Sequence, residues 1–359
     1  MKATMICMGC AAAALMLNIT GCELAGEIAG AGEAAVTFRD GDGPFGPGKL
    51  NTNFMGVEGD VALNAIPLQD DPNAPLRLHA VWSNKCVGTS GQLLHGLFYT
   101  SDLNGELGIT LAEGGKLNPA IFKSWSAPGV TCTVASEHWV GTVWGLVQDG
   151  TNHYMMILAG GLDDTDRPAY VWGRYVNGQT FNPSSYVPSC LEDLDPSGVA
   201  YKFHAYHFSD IDVDANTGHF AEKADTMYVA CFSGMVGKAA RWGYGTWDTG
   251  MQVHEIATRV GRADYCGTGH SYTQEGNPLQ IEDVYGISGF DDESFPYEAA
   301  WSIEDGRATC LHVPRHVPLR PEAPGLVCLD AEGEPLFTLP DCDAQHLDDA
   351  TFITRIAHE

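Results

Sequence analysis

Positive charge is scarce in this chain of 359 residues: 19 Lys and Arg stand against 46 Asp and Glu, a formal net charge of −27. So acidic a surface repels phosphate backbones, which excludes nucleic acid as a partner, and it offers no electrostatic hold on anionic lipid. Long apolar runs are lacking as well. Beyond residue 21 each apolar run is short and broken by Gly, Pro or charge, whereas a spanning helix needs about 20 apolar residues. The recurring catalytic spacings are missing: there is no H-E-x-x-H, no G-x-S-x-G nucleophile elbow and no nucleotide-binding loop. The cysteines beyond residue 22 contain no C-x-x-C and no paired Cys/His spacing of a zinc site.

What is present begins with the N-terminus. Lys2, the apolar block 10–17 and the small residues that follow have the form of a secretory signal. The segment closes on Ile19-Thr20-Gly21-Cys22, which resembles the lipobox of bacterial lipoproteins. That resemblance implies cleavage after residue 21 and a lipid on Cys22. An ordinary signal cut nearby is the alternative. Residues 22–48 are small, Gly-rich and poor in large apolar side chains, and read as a flexible tether. As a coil it spans on the order of 25–30 Å.

The rest is rich enough in apolar residues, at 44% of the chain, to bury a sizeable core. Its 42 Gly and 19 Pro favour turns and short strands. Residues 76–82 alternate apolar and polar, as a half-buried strand does, and 107–111 repeat the pattern after the turn Asn104-Gly105. Residues 139–147 and 154–158 flank Asp149-Gly150, and 169–176 run into Asn177-Gly178, both hairpin signals. This predicts a sandwich- or barrel-like β body over 49–200. From residue 201 the texture changes. Residues 227–230 read as a strand, followed by a short helix with Met235, Val236, Ala239 and Ala240 on one face. A second helix places Val253, Ile256, Ala257 and Val260 at i, i+3, i+4 and i+7, with Thr249 as N-cap and Gly261 as its stop. The fold class expected is α+β and β-dominated.

Eight cysteines follow Cys22: Cys86, Cys132, Cys190, Cys231, Cys266, Cys310, Cys328 and Cys342. An even number in an exported chain points to four disulfides.

Residues 228–286 resemble the ADYC domain family of exported bacterial proteins. The motif stands as Arg262-Ala263-Asp264-Tyr265-Cys266-Gly267. Around it lie Trp242-Gly243-Tyr244, Trp247, His254, Thr258-Arg259, His270, Thr273 and Gly276, and further on Glu298-Ala299-Ala300-Trp301, Cys310, His312, Val313-Pro314, Cys328 and Cys342. The resemblance implies an export compartment and a disulfide-stapled module over 201–359, and it carries no established reaction. Family members have cysteines where this chain has Ala239 and Ala257, and their joint loss is what a bridge between the two helices predicts. With that pair absent, chain order suggests Cys86–Cys132, Cys190–Cys231, Cys266–Cys310 and Cys328–Cys342.

Each chemical candidate has a bland counterpart. Cys266 with His270 and Asp264 has the makings of an activated thiol, but a disulfide at Cys266 removes it. Lys238, Arg241, Arg259 and Arg262 form a basic cluster, suited to an anion or to pairing with Asp248, Glu255 and Asp264. Asp210, Asp212, Asp214 and Asn216 present hard oxygens at alternate positions, as a calcium loop does, yet Ala215 and Ala221 stand where such a loop has Gly and Glu. His204 and His207 would share a face only on a helix. The tryptophans offer a stacking platform or simply core. The expected function is therefore a cell-envelope lipoprotein with a binding or structural role. It would be held to the outer membrane or cell surface through lipid alone, need no cofactor, and have an envelope protein or a glycan as partner. The alternatives are an envelope hydrolase using Asp264, His254 and His270, and a calcium-dependent adhesion module.

Overall fold

The computed structural model describes residues 65–68, 76–88, 93–99, 109–124, 130–148, 150–163, 165–179, 181–194, 200–273, 279–290, 294–315, 325–330 and 332–356. The leader with Cys22, the tether and the Asn104-Gly105 turn lie outside the described residues.

Eleven strands form one antiparallel sheet. In chain order they are β1 (Ile66–Pro67), β2 (Leu76–Gly88), β3 (Leu93–Tyr99), β4 (Ala120–Ser124), β5 (Thr131–Val134), β6 (Val143–Gln148), β7 (Thr151–Leu162), β8 (Pro168–Tyr175) and β9 (Tyr186–Pro188), then, past the small hairpin β10 (Glu192–Leu194) and β11 (Ala200–Lys202), β12 (His204–Val213) and β13 (Phe220–Cys231). Spatial order is β1-β13-β12-β8-β7-β6-β2-β3-β4-β5, with β9 on β8 and β5 returning to pair with the far end of β2. The predicted hairpin of β6 and β7 is present, with Gln148 opposite Thr151 and Gly150 at φ 78°.

Side chains alternate along these strands, and those of one face converge. Trp144, Leu146, Met155, Ile157 and Trp172 share a core with Ile66, Phe122, Val134 and Val229, so both ends of the sheet enclose one interior. Trp139, Trp144 and Trp172 are fully buried there, with Trp144 edge-on to Trp172 at 5.1 Å between ring centres. These tryptophans are core and not a stacking platform, and Trp82 is half-buried on the opposite face. Two local expectations fail. Trp139 lies ahead of the strand that begins at Val143. The described part of 107–111 is no strand: Leu111 makes a single bridge to Leu117 around a turn of 3-10 helix, Glu113–Gly115.

The boundary expected at residue 200 is not a break in this sheet. β12 pairs with β8 across it through His204–Val171 and Ala205–Tyr170, and a disulfide joins Cys190 to Cys231.

Beyond β13 the chain forms α1 (Met235–Ala239), a π-helical turn at Ala240–Tyr244, α2 (Thr246–Thr249) and α3 (Met251–Arg262). Strands β14 (Leu279–Asp283), β15 (Tyr297–Ser302), β16 (Arg307–Leu311) and β19 (Phe352–Ile356) make a second antiparallel sheet in the order β14-β19-β15-β16. A hairpin of β17 (Val327–Leu329) and β18 (Pro335–Thr338) and the helix α4 (Ala344–Asp348) complete the described residues. On α3, Val253, Ile256, Ala257 and Val260 face the second sheet, among Trp301, Leu311 and Phe352. His254 faces the first sheet, against Phe208 and Phe220. Ala239 and Ala257 are both buried in the core that joins α1 to α3.

The ends of α3 differ from expectation. Thr249 closes α2, and Gly250, at φ 87°, is the N-cap of α3. The helix runs through Gly261 to Arg262. Gly261 is an approach point: a Cβ there would lie 2.0 Å from the Met235 Cε and 3.1 Å from the Trp242 ring.

Gly237 marks where α1 meets β13. A Cβ at this position would lie 2.3 Å from the Cys231 carbonyl oxygen, which is backbone and has little room to retreat. Gly237→Ala is expected to cost about 1–3 kcal/mol through overpacking. Gly161→Ala, with nothing within 4 Å of its Cβ, serves as control, and thermal unfolding of the two variants makes the comparison.

Candidate functional site

The motif loop closes the C-terminus of α3. Ala263 takes left-handed dihedrals, φ 53° and ψ 39°, and its N–H donates back to the Arg259 and Val260 carbonyls. A non-glycine residue there is strained, and full burial of Ala263 helps hold it. The Asp264 N–H donates to the Arg259 carbonyl at 2.9 Å, completing the cap.

Each further letter of the motif has its own partner. The buried Asp264 carboxylate accepts from Arg259 Nη1 at 2.7 Å, from the Gly269 N–H at 3.0 Å and from the Thr268 N–H at 3.1 Å. Burial pushes this carboxyl up, against the pull of Arg259 and Arg262. The Tyr265 hydroxyl donates to Glu298 Oε1 at 2.6 Å and accepts from the Arg315 N–H at 2.9 Å. Burial, with the Glu298 charge behind it, drives the Tyr265 hydroxyl far above its ordinary range. Cys266 is bridged to Cys328. Arg262 Nη2 donates to the Gly269 carbonyl at 2.6 Å, and burial lowers its pKa to about 10.

Behind the loop sits a fully buried ion pair. Arg315 meets Glu298 of β15 in a two-pronged contact, Nε to Oε1 at 2.9 Å and Nη2 to Oε2 at 2.8 Å. Its other donors reach the Gly261 and Val260 carbonyls at 2.9 and 3.0 Å and Thr273 Oγ1 at 3.4 Å. All five guanidinium protons thereby have acceptors. Two of those acceptors are carbonyls of the last turn of α3, where a cation is favoured.

The Asp-rich segment docks on the same loop. Asp214 Oδ1 accepts from the main chain of Asn216 and Thr217, which folds an Asx turn. Arg259 Nη1 reaches the Thr217 carbonyl, and Gly269 packs so close that a Cβ would lie 2.1 Å from the Asn216 carbonyl oxygen. Asp212 pairs with Lys223 at 2.8 Å. Asp210, at a bulge with φ 57°, accepts from the Asp225 N–H. Asp210, Asp212 and Asp214 thus each have a separate partner, Asn216 takes part through its main chain, and among the described residues no group of three or more His, Cys, Asp or Glu is placed to hold a metal.

The hydrolase candidates do not converge. His254 is buried between aromatic rings, its Nε2 2.8 Å from the Val236 carbonyl, and desolvation lowers its pKa to about 4. His270 is exposed, edge-on to Tyr272. Asp264 is enclosed by Arg259 and main-chain N–H groups. His207 and His204 do not form a pair: His207 is fully buried, accepts from Trp172 Nε1 at 2.8 Å and is held by burial at a pKa of about 3. Three of the four basic residues are engaged by partners of their own. Arg259 pairs with Glu255 and Asp264, Arg262 is bound into the loop, Arg241 lies 5.1 Å from the Phe232 ring centre, and Asp248 pairs with Arg167.

Four disulfides are formed. Cys86–Cys132 and Cys190–Cys231 have the pairing that chain order suggests. The other two do not: Cys266 bonds Cys328, and Cys310 bonds Cys342. The reason is strand alternation. Cys310 packs with Ala300 and Ala350 on one face of the second sheet, while Cys266 and Cys328 belong to the core on the other.

These contacts define a β-dominated α+β protein, stapled by four disulfides and organised around one motif loop. The family model of the ADYC domain matches residues 137–317, just over half of the chain, and the protein belongs to that family. The matched span begins well before the module boundary expected at residue 201. No curated protein and no solved structure matches the chain.

Glu298 and Arg315 are the central residues that sequence reading left without a role. They stand far apart from the motif in sequence, in an acidic chain where a single Glu and a single Arg carry no spacing signal.

Breaking the buried pair from one side strands a charge. Glu298→Ala or Arg315→Ala is expected to cost about 3–5 kcal/mol, read by denaturant unfolding of the oxidised protein. Acid adds a separate test. The folded pKa of His254 lies below its unfolded value, so its contribution is fully present above pH 6.5 and falls as the pH drops toward about 4. The expected loss is about 3 kcal/mol. His254→Gln is expected to make that part of the stability-against-pH curve shallower, with the slope that remains coming from His207, whose pKa is also lowered by burial.

Proposed function

We propose that this protein is an exported cell-envelope lipoprotein, anchored by lipid on Cys22 to the outer membrane or cell surface, with a binding or structural role and no catalysis of its own. The observation that carries the non-catalytic reading is the state of the motif. Its thiol is in a disulfide and its carboxylate is enclosed by Arg259 and two main-chain N–H groups, leaving no free nucleophile or base. Four disulfides fit an oxidising compartment. The lipobox-like Ile19-Thr20-Gly21-Cys22 supports the anchor, and the Gly-rich residues 22–48 suit a body held off the membrane. The partner in this reading is an envelope protein or a glycan, and the net charge of −27 argues against nucleic acid. The reading calls for no cofactor.

Intact mass and thiol alkylation of the membrane-extracted protein test it. The expected product starts at an acylated Cys22 and has no alkylatable thiol, and Cys22→Ser moves the protein out of the membrane fraction. An unacylated start would overturn the anchor, and a reduced, readily alkylated Cys266 would overturn the non-catalytic reading.

A further inference from the structure

The four disulfides differ in how far solvent reaches them. Of the eight bridged cysteines only Cys342, just ahead of α4, is half-buried, and the others are buried. Exchange of a disulfide begins when a thiolate attacks one of its sulfurs, so access decides which bridge reacts. By that measure Cys86–Cys132, Cys190–Cys231 and Cys266–Cys328 are closed, and Cys310–Cys342 can be approached from the Cys342 side. It also closes the shortest loop, with its cysteines 32 residues apart against 41, 46 and 62 for the others. The shortest loop constrains the unfolded chain least.

What this bridge holds is a strap. Residues 341–350, with α4 among them, lie on the face of the second sheet that carries Ala300 and Cys310. Among the described residues no main-chain hydrogen bond joins 341–350 to the rest of the chain. The N–H groups of Leu347, Asp349 and Ala350 donate to Asp343, Gln345 and Leu347, all within the strap. Firm bonds stand just outside it: the Leu311 N–H donates to the Pro340 carbonyl at 3.0 Å and the Thr351 N–H to the Trp301 carbonyl at 2.8 Å.

Between those two points the strap is tied by the bridge, by the packing of Leu347 and Ala350, and by His312 Nδ1 against Asp341 Oδ1 at 2.6 Å. Both side chains of that pair are about half exposed, and such surface pairs add little. The five residues of α4 are too few for a helix that stands alone. The bridge is therefore the main fastening of the strap. Cys266–Cys328 is placed in the opposite way. It lies in the larger core on the other face of the sheet, where it ties the motif loop. One face of the second sheet thus carries a sealed bridge and the other a reachable one, and opening the second leaves the motif network in place.

We propose that Cys310–Cys342 is a thiol-exchange site opened by a protein dithiol, and that its opening releases the strap 341–350 while the rest of the fold stays intact. One thiolate of the dithiol attacks Cys342 Sγ. The bond to Cys310 breaks, and the Cys310 sulfur leaves as a thiolate and takes up a proton. The second thiol of the dithiol loses its proton and attacks the mixed disulfide, and Cys342 leaves and is protonated in turn. The cystine gains two electrons and two protons, and the dithiol is oxidised to a disulfide. This goes beyond the binding or structural role described above and does not depend on the anchor at Cys22.

The test starts from the purified full-length oxidised chain with any free thiols blocked. It is treated with dithiothreitol under native conditions, quenched with N-ethylmaleimide and mapped by peptide mass. Cys310 and Cys342 are expected to be alkylated about tenfold or more faster than the other six bridged cysteines. Circular dichroism is expected to hold, and hydrogen exchange to rise at the amides of Leu347, Asp349 and Ala350 but not in α3. A thioredoxin that keeps only its attacking cysteine is expected to be trapped on Cys342. Equal or earlier reduction of another bridge, loss of the dichroism signal in step with alkylation of Cys310 and Cys342, or unchanged exchange in the strap after that alkylation would overturn the proposal. Reduction by dithiothreitol without capture of the thioredoxin, or its capture on Cys310, would overturn the protein-dithiol step.

Discussion

The joining of α3, the motif loop and β15 depends on one buried contact, the Arg315–Glu298 pair. Taking two charges out of water costs several kcal/mol per ion, and the cost is offset only when geometry is good and the remaining protons find acceptors. Here both conditions hold. The guanidinium grips Glu298 with two nitrogens and gives its other donors to the last turn of α3 and to Thr273. The Tyr265 hydroxyl enters the same network. A strand, a helix end, the motif loop and the segment after β16 are thereby placed by a single guanidinium. Apolar packing does not set register so narrowly, since it has no direction.

The motif is best understood from this contact outward. Ala263 turns the chain, Asp264 holds the returning loop and the helix through Arg259, Tyr265 reaches the ion pair, and Cys266 ties the loop to the β17–β18 hairpin. Arg259 extends the same scheme to the first sheet by way of Thr217 and Glu255. These side chains act on one another and on the main chain, and Ala263, Asp264, Tyr265 and Cys266 are all buried.

Much of the fold was legible because its signals are local. Alternation in 76–82, the apolar spacing of Val253, Ile256, Ala257 and Val260, and an even cysteine count each follow from a few neighbouring residues. The errors share the opposite cause. Thr249 is a good N-cap by type, but Gly250 supplies a backbone conformation that Thr does not readily adopt. Gly261 resembles a helix stop, but its value is the space it leaves to Met235 and Trp242. The pairing of Cys310 depends on which face of β16 it occupies, which requires the register of the whole sheet. Residues 210–216 carry the oxygen pattern of a calcium loop, yet a bulge and an Asx turn send those oxygens to different partners.

The order of the second sheet, β14-β19-β15-β16, governs when it can form. Among the described residues β19 follows β14, β15 and β16 in the chain, yet it lies between β14 and β15. A chain delivered vectorially, N-terminus first, therefore presents β14 and β15 with bare facing edges until residues 352–356 arrive. Bare edges recruit other strands, and non-local pairing is slow. Assembly of this half thus waits for residues 352–356, and in the interval before β19 docks the facing edges of β14 and β15 are open to mispairing.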